Sequence, residues 1–250
     1  MELADELVQL HDAPREVAPF SQRYPGLTPA AGYAAAQRLH EHRVARGWKP
    51  VGRKIGFTNR TLWQRYGVHE PMWGMVYDRT LLHARGNQAS VPLDGLVQPR
   101  IEPEIAFKLK KAPGGNLAEC IEWMAHAVEI VQCHHPQWKV TLADCTADNG
   151  LHGRLIVGTP MPLSENLAQV EARLFKAERL VDKGVGANVL GGPMLSLAHL
   201  VELLKKRPDA PLRAGEIITT GVLTDAHPVA PGETWRTELT GLHGLRITFS

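Results

Sequence analysis

Hydrophobic residues in the first fifty positions recur at the spacing of an α-helix. Leu3, Leu7 and Leu10 lie on one side of a helix in the stretch ELADELVQLHDA. A longer helix is predicted over TPAAGYAAAQRLHEHRVARG, where Thr28 is the N-cap, a proline follows it, and Gly47 ends the helix. The stretch TNRTLWQRYG indicates one more short helix.

The pattern changes after about residue 70, where short apolar runs are separated by glycine and proline. Runs such as WGMVY, SVPLDGLVQP and RIEPEIAFKLK are typical of strands. The stretch NLAECIEWMAHAV has helical spacing, so we expect a helix with Asn116 as its N-cap, leading directly into a strand at EIVQCHH. Further on, LAQVEARLFK alternates like a half-exposed strand, PMLSLAHLVELLKK predicts a helix, and the C-terminal segment is rich in strands and turns.

The order of these elements indicates an α+β protein rather than a regular β–α–β array. We expect a helical N-terminal portion at residues 1–70 and a β-rich catalytic body at residues 71–250, folded as one continuous unit.

Composition and charge narrow the class of protein. The formal net charge is only +2 and the basic residues are scattered, so neither nucleic acid nor a membrane surface is an expected partner. The N-terminus lacks the basic and apolar regions of a signal peptide. The three cysteines have no paired spacing and predict reduced thiols. We therefore expect a cytoplasmic protein.

Two carboxylates interrupt the predicted strand RIEPEIAF. Glu102 and Glu104 are two residues apart, so in a strand they point to the same face. An edge strand with one face in water would tolerate this pair. The alternative is a divalent cation, which cancels the repulsion between two carboxylates. Glu129, within the apolar run AVEIV, is the predicted third ligand. The rival third ligands are Asp94, Asp144 and Asp148.

A lysine interrupts a second apolar run, VGRKIGFTN. Lys54 could extend its ammonium group to solvent, which is the commoner arrangement for such a residue. It could instead face a cleft and bind a carboxylate or move a proton. Gly56 would then allow a ligand to approach the backbone closely.

Six motifs together resemble the 2-keto-4-pentenoate hydratase group of the fumarylacetoacetate hydrolase superfamily, which also contains 4-oxalocrotonate decarboxylases. The resemblance runs from about residue 28 to the end of the chain, and it is most specific in PRIEPEIAF and KIGFT. In chain order the motifs are RKIGFTN, EPMWGMVYD, RIEPEIAF, AVEIV, ADNGLHG and GEIITTGVLT.

The resemblance implies a fumarylacetoacetate hydrolase-like mixed β-roll of packed sheets with a helical N-terminal portion. It implies Mg²⁺ or Mn²⁺ held by Glu102, Glu104 and Glu129, with Lys54 as the family lysine. It also implies a homo-oligomer built from dimers, with a complex with a related family member as a further possibility.

Such a site suits a small 2-oxo acid, whose carboxylate and 2-oxo oxygens chelate one cation and whose enolate the cation stabilises. The activity we expect is a hydratase that adds water to a 2-hydroxydienoate. The alternatives are a 4-oxalocrotonate-type decarboxylase, a C–C hydrolase of the same superfamily, and a degenerate non-catalytic assembly partner.

The sequence departs from the group's pattern in two stretches, EPMWG and QCHHPQWK. Met72 stands in EPMWG, where many hydratases carry an acidic residue. Glu70 or Asp78 is a candidate to replace that carboxylate in catalysis. His134, in QCHHPQWK, is a candidate for acid–base work, and His152 has a similar standing.

The remaining candidate residues are expected to bind substrate. They lie in the motifs KIGFT, ADNGLHG and TTGVLT, where hydroxyl, amide and backbone donors could reach the substrate carboxylate. They are Gly56, Thr58, Asn149, Thr220 and Gly221.

Overall fold

The computed structural model describes residues 2–207 and 210–250. It contains two β-sheets with α-helices packed around them, which confirms the predicted α+β class. The α-helices are α1 (Leu3–Asp12), α2 (Phe20–Arg23), α3 (Pro29–Ala45), α4 (Trp63–Tyr66), α5 (Leu142–Ala147) and α6 (Pro193–Lys205). None of the helices in residues 2–207 and 210–250 is long and apolar enough to cross a membrane.

Thirteen strands form the sheets in the part of the chain that the structure describes. They are β1 (Pro50–Gly56), β2 (Met72–Tyr77), β3 (Leu81–His83), β4 (Gln88–Val91), β5 (Arg100–Leu109), β6 (Ile121–Val131), β7 (His152–Val157), β8 (Glu171–Lys176), β9 (Arg179–Val185), β10 (Ile217–Thr219), β11 (His227–Pro228), β12 (Thr234–Leu239) and β13 (Arg246–Phe249).

The larger sheet has the order β2-β1-β10-β5-β6-β7-β3, and β11 also pairs with β5. The smaller sheet has the order β4-β13-β12-β8-β9. Apolar side chains of β6, including Val128 and Ile130, pack against Leu174, Trp235 and Ile247 of the smaller sheet. The two sheets therefore share one core and hold β5 and β6 in the middle of the protein.

Several predicted elements are confirmed. Helix α3 begins after Thr28, whose hydroxyl oxygen accepts a hydrogen bond from the N–H of Ala31. Helix α6 buries Leu197, Leu200 and Leu204 against the larger sheet. Strand β1 lies inside the segment 1–70 and pairs with β2 and β10, so this segment contributes a strand to the larger sheet. The division at residue 70 stays a prediction.

The helix predicted in NLAECIEWMAHAV is wrong. Asn116 does cap a helix, but that helix is a single 3₁₀ turn over Leu117–Cys120, and the chain then enters β6. Strand β6 pairs with β5 on one side and β7 on the other, and from Met124 onward it is buried on both faces. A strand buried on both faces loses the alternation of apolar and polar residues that distinguishes it from a helix.

The edge-strand alternative for RIEPEIAF is also wrong, because β5 lies in the centre of the larger sheet. Pro103 is tolerated there although it has no N–H to donate. Strand β10 ends opposite Ala106, so no regular strand demands a donor from Pro103 on that side. The carbonyl of Pro103 still accepts a hydrogen bond from the N–H of Leu223.

A buried polar cluster joins the N-terminal helices to the body. Nε2 of His11 and Nδ1 of His134 lie 2.8 and 2.7 Å from the two carboxylate oxygens of Asp148. Arg43 donates to Nδ1 of His11 at 3.0 Å, so the imidazole proton of neutral His11 is on Nε2 and is donated to Asp148. The cluster therefore links α1, α3, the end of α5 and the segment after β6 through buried hydrogen bonds.

This cluster predicts how stability depends on pH. Burial, and then the charge of Arg43, lower the pKa of His11 to about 4 from its ordinary 6.5. The unfolded chain therefore binds a proton between these pH values that the folded chain does not, and folding stability falls as the pH falls from 6.5. The loss can reach about 1.4 kcal/mol per pH unit.

We expect His11→Gln, which keeps a donor for Asp148 but does not titrate, to flatten this dependence. The measurement is the melting temperature of both proteins between pH 7.5 and 5. Parallel curves for wild type and variant would contradict the assignment.

Candidate metal centre and active site

The pairing of β5 with β6 brings three carboxylates together. Glu102 lies directly opposite Glu129, and Glu104 follows on the same face of β5. One oxygen from each of the three carboxylates can be chosen so that all lie within 4.8 Å of one another. The predicted set of three glutamates is therefore adjacent in space, on the two central strands.

The Glu104 carboxylate is held by a backbone amide. The N–H of Gly221 donates to its Oε2 at 2.8 Å. Gly221 has a φ of +99°, and a Cβ at this position would lie 1.7 Å from Oγ1 of Thr58, so only glycine fits. The other oxygen, Oε1 of Glu104, is buried and has no hydrogen-bond partner among the described residues.

The Glu129 carboxylate has two partners of its own. Its Oε2 lies 3.2 Å from Nζ of Lys54, and its Oε1 lies 2.8 Å from Nδ1 of His152. Nε2 of His152 lies 2.8 Å from the hydroxyl of Thr80, which fixes the ring. Burial acts to raise the pKa of Glu129, but Lys54 and His152 outweigh it and lower the pKa, so Glu129 is the ionised member of the group.

The other two carboxylates are costly to keep charged without a cation. Burial raises the pKa of Glu102 to about 8, against the lowering effect of Lys54 and together with the charge of Glu129. Burial, and then the charges of Glu129 and Glu102, raise the pKa of Glu104 well above its ordinary value. A divalent cation would remove this cost, and Oε1 of Glu104 is free to act as one of its ligands. Three carboxylates offer the hard oxygen ligands that Mg²⁺ and Mn²⁺ prefer, so the residues fit such an ion.

Lys54 does not extend to solvent, so the first of the two alternatives for this residue is wrong. The residue is only 3% exposed. Burial acts to lower its pKa, but Glu129, Glu102 and Glu104 outweigh burial and raise it, so the ammonium group stays charged at neutral pH. Gly150, with a φ of +66°, lets the backbone pack against the Lys54 side chain, since a Cβ there would lie 3.2 Å from its Cδ.

A cavity opens beside Lys54 and Glu102. Apart from these two side chains and Asn59, its wall is mostly apolar or formed by glycine, and among the described residues Lys54 is the only basic side chain in it. The lining residues are Lys54, Gly56, Phe57, Asn59, Leu62, Tyr66, Met72, Glu102, Val131, Trp138, Val140, Gly150, Leu151, Gly221, Val222 and Ala226.

Of the residues predicted to bind substrate, Gly56 and Gly221 line this cavity. The other three are buried beside it and bind the backbone. The hydroxyl of Thr58 donates to the carbonyl of Thr220 at 3.0 Å, and the hydroxyl of Thr220 donates to the carbonyl of Ile105 at 2.8 Å. Asn149 bonds through its side chain to both the N–H and the carbonyl of Met75. These three side chains therefore shape the site from behind.

Three residues predicted to be catalytic lie away from the cavity. Glu70 is exposed, and Asp78 is exposed at the end of β2 opposite Met72, where it accepts hydrogen bonds from the N–H groups of Lys49 and Arg79. His134 is buried in the cluster with Asp148. Strand β2 separates Asp78 from Met72, because a strand carries the chain onward by about 3.3 Å per residue.

The rival third ligands are also accounted for. Asp94 is exposed, and Asp148 is bound to two histidines. Asp144 accepts hydrogen bonds from Thr141 in a capping box and from Ser21 of α2. Two cavity residues, Tyr66 and Trp138, were not predicted, since single aromatic residues in short helical turns carry no periodic signal.

Comparisons with known proteins identify the family of this chain. The chain is 30% identical to the 2-keto-4-pentenoate hydratase of Paraburkholderia xenovorans, with 99% of the chain and 94% of that protein covered. The chain belongs to this hydratase and decarboxylase family. A second family member, the 4-oxalocrotonate decarboxylase of a Pseudomonas species, is 31% identical over 97% of the chain and 92% of its own length. No family model matches the chain.

Solved structures show that the chain has the fold of the fumarylacetoacetate hydrolase superfamily. The 4-oxalocrotonate decarboxylase of Pseudomonas putida, complexed with magnesium and adipate, has a TM-score of 0.92 and 28% identity, over 99% of this chain and 96% of its own. The fumarylpyruvate hydrolase of Pseudomonas aeruginosa has a TM-score of 0.65 and 13% identity, over 79% and 88% of the two chains. The predicted β-roll is thus confirmed.

We predict opposite effects of Glu102→Gln with and without Mg²⁺. Without the ion, the variant should melt at or above the temperature of wild type, because one of three crowded carboxylates is gone. With Mg²⁺, wild type should gain stability by mass action, and the variant should bind the ion at least roughly tenfold more weakly and gain little.

The measurement is thermal unfolding across a Mg²⁺ titration. Glu122→Gln is the matched control, because Glu122 is an exposed glutamate of β6. In that control, Mg²⁺ should raise the melting temperature as much as in wild type. An equal rise in Glu102→Gln would show that Glu102 is not a ligand.

Proposed function

We propose that this chain is a divalent-metal-dependent hydratase that adds water to a small 2-hydroxydienoate or 2-oxo-enoate acid. The observation that carries the proposal is that Glu102 and Lys54 line one cavity, with Glu104 and Glu129 directly beside them. Membership of the hydratase and decarboxylase family supports it. The magnesium and adipate bound to the decarboxylase of Pseudomonas putida support a divalent cation and a small carboxylic acid as ligands.

The metal ligands would be Glu102, Glu104 and Glu129, holding Mg²⁺ or Mn²⁺. When bound, the ion supplies a Lewis acid that draws negative charge onto the carboxylate and 2-oxo oxygens of the substrate. The protein fixes the ligands before the ion arrives. The N–H of Gly221 holds Glu104, and His152 holds Glu129, so little rearrangement is needed.

Lys54 supplies the second positive charge of the site. Its ammonium group is buried, charged and adjacent to Glu129, so it can pair with the substrate carboxylate and stabilise the enolate oxygen. A proton on Nζ is also available to the substrate carbon chain. The ion pair with Glu129 keeps Lys54 within the site between turnovers.

The apolar wall suits the carbon chain of the substrate. Met72, Val131 and Leu151 exclude water from one side of the cavity. A dry site strengthens the electrostatic effect of Lys54 and the cation on the developing charge.

A decarboxylase of the 4-oxalocrotonate type is the second candidate, and Met72 favours it. This residue is 2% exposed and places a thioether where many hydratases carry an acid. A carboxylate at this position could direct a water molecule, whereas methionine cannot. Loss of CO₂ needs the same electron sink but no activated water.

The assembly and location of the protein are part of the proposal. We infer a cytoplasmic homo-oligomer built from dimers, which could also associate with a related family member. The described cysteines, Cys120, Cys133 and Cys145, are free and buried, which supports a reducing compartment. Their burial means that the thiols act as apolar packing groups.

Turnover of two substrates tests the reaction. We expect the protein with Mg²⁺ to hydrate 2-hydroxypenta-2,4-dienoate. The reaction is measured by the loss of the dienoate absorbance, and the hydroxylated product is identified. Release of CO₂ from 2-oxohex-3-enedioate without hydration would select the decarboxylase instead. Turnover that persists after exhaustive chelation would exclude the proposed metal chemistry.

We predict that Lys54→Met lowers kcat/KM by about 10² to 10³, the usual effect of removing one preorganised charge from an active site. Mg²⁺ affinity should stay the same or rise, because a positive charge beside the cation is gone. Steady-state kinetics and calorimetric Mg²⁺ titration measure the two effects.

Lys108→Met is the matched control for this change. Lys108 lies on the same face of β5 as the ligands but toward the other end of the strand, and it should be dispensable. A loss of less than about threefold in Lys54→Met would be far smaller than the effect of such a charge, and would remove Lys54 from the catalytic group.

A further inference from the structure

Thr219 has a buried hydroxyl group that no other residue binds. The residue is 0% exposed, and its Oγ1 has no hydrogen-bond partner among the described residues. The hydroxyl of the neighbouring Thr220, by contrast, donates to the carbonyl of Ile105. A buried hydroxyl without a partner destabilises the folded protein, and valine has nearly the same shape without this penalty. Stability therefore does not explain why residue 219 is a threonine.

The register of the larger sheet places Thr219 beside Lys54. Thr219 is the partner of Lys54 across the parallel pair β1–β10 and of Ala106 across the pair β10–β5. Because Glu104 is two residues from Ala106 on β5, these side chains lie on the face that carries the metal ligands. The row of paired residues across the sheet contains two polar side chains, those of Lys54 and Thr219. Its members are Gly74, Lys54, Thr219, Ala106 and Ala125.

Lys54 needs a second acceptor when the three carboxylates bind a cation. In the structure its Nζ lies 3.2 Å from Oε2 of Glu129. Once Glu129 binds a cation, its negative charge is shared between two positive groups, and these two groups repel each other. An ammonium group has three protons to donate, so it needs acceptors that are not metal ligands. The hydroxyl of Thr219 is such an acceptor on the adjacent strand.

Glycine residues leave space around the lysine side chain. A Cβ at Gly56 would lie 3.3 Å from Nζ of Lys54 and 2.9 Å from Cε of Met72, and a Cβ at Gly150 would lie 3.2 Å from Cδ of Lys54. Gly56 does not have a positive φ, so its backbone conformation does not require glycine. The missing side chain at residue 56 instead keeps space for the ammonium group and for Met72.

We propose that Thr219 is a positioning residue for Lys54, and that its hydroxyl accepts a hydrogen bond from the ammonium group when Glu129 binds the divalent cation. The inference rests on the proposed function, because it needs both the cation and a role for Lys54 in turnover. The hydroxyl that has no partner in the resting protein gains one in the metal-bound protein. This hydrogen bond keeps the ammonium group beside the metal ligands, where it faces the substrate oxygens.

The test is a double-mutant cycle between Thr219→Val and Lys54→Met, with Thr219→Ser as the conservative variant. Each protein is studied by thermal unfolding without and with Mg²⁺, by calorimetric Mg²⁺ titration and by steady-state kinetics on 2-hydroxypenta-2,4-dienoate. Thr146→Val is the matched control, because the hydroxyl of Thr146 is also buried but donates to the carbonyls of Pro29 and Ala143. If Thr219→Val does not fold, Thr219→Ala replaces it in the Mg²⁺ and kinetic measurements.

Without Mg²⁺, we expect Thr219→Val to melt about 2 to 4 °C above wild type, because a hydroxyl without a partner is gone. Thr146→Val should melt below wild type, because it loses hydrogen bonds that are already formed. Thr219→Val should bind Mg²⁺ about three- to tenfold more weakly, because the displaced ammonium group has no acceptor.

The kinetic effect should depend on Lys54. In Thr219→Val, kcat/KM should fall by about tenfold to a hundredfold, as for the loss of one hydrogen bond to a charged group. Thr219→Ser should keep Mg²⁺ affinity and kcat/KM within about threefold of wild type, because the hydroxyl remains. In the Lys54→Met background, Thr219→Val should change neither quantity by more than about twofold.

Three results would overturn the inference. They are a melting temperature of Thr219→Val below wild type without Mg²⁺, a Mg²⁺ affinity or kcat/KM in that variant equal to wild type, and losses that persist in the Lys54→Met background. If wild type binds Mg²⁺ and turns over the dienoate while Thr219→Val behaves in the same way, the proposed function stands and only the role of Thr219 fails. If wild type neither binds Mg²⁺ nor turns over the substrate, both fail.

Discussion

The crowding of three carboxylates, two of them buried and one half-buried, is the constraint on which the rest of the site depends. Glu102, Glu104 and Glu129 are brought together by strand pairing, and the sheet cannot relax them apart without losing register. One ammonium group, that of Lys54, offsets only part of the charge. The neighbouring imidazole and backbone amide then hold two of the carboxylates in place, and the apolar wall keeps water from screening them.

A site with this excess of negative charge lowers the stability of the folded protein. Replacing the ionised groups by apolar residues of similar size would often cost a protein nothing in stability, so a buried group of this kind indicates function. The same reasoning separates this site from the cluster of His11, His134 and Asp148. That cluster contains one carboxylate whose two oxygens are each hydrogen-bonded to a histidine, so its charge has partners within the protein and the cluster attaches α1.

Much of this arrangement could be predicted from the sequence. Helix α3 has a clear cap, helix α6 has regular spacing, and the alternation in RIEPEIAF places two glutamates on one face. Strand β6 could not be distinguished from a helix, because its apolar residues face the core on both sides. A sequence pattern reveals an element through its alternation of apolar and polar residues, and this alternation is lost where both faces are buried.

The cavity was harder to predict than the ligands. The residue pattern alone left two alternatives for Lys54, solvent or a cleft, and its burial follows only from the glutamates of other strands. Glu70, Asp78 and His134 lie outside the cavity, whereas Tyr66 and Trp138 line it. Residues that come together from separate segments show no regular spacing in the sequence. Closeness to a motif in the sequence therefore did not predict which residues line the cavity.

The separation between strand-borne ligands and the rest of the wall has a consequence for evolution. All three glutamates lie on the rigid central strands, whereas Tyr66, Trp138 and Val140 come from short helical turns and loops outside the sheets. Substitutions in those segments can reshape the entrance without moving the carboxylates. Substitutions in the loops can therefore change the substrate while the three carboxylates stay in place. In this way one fold can support several reactions.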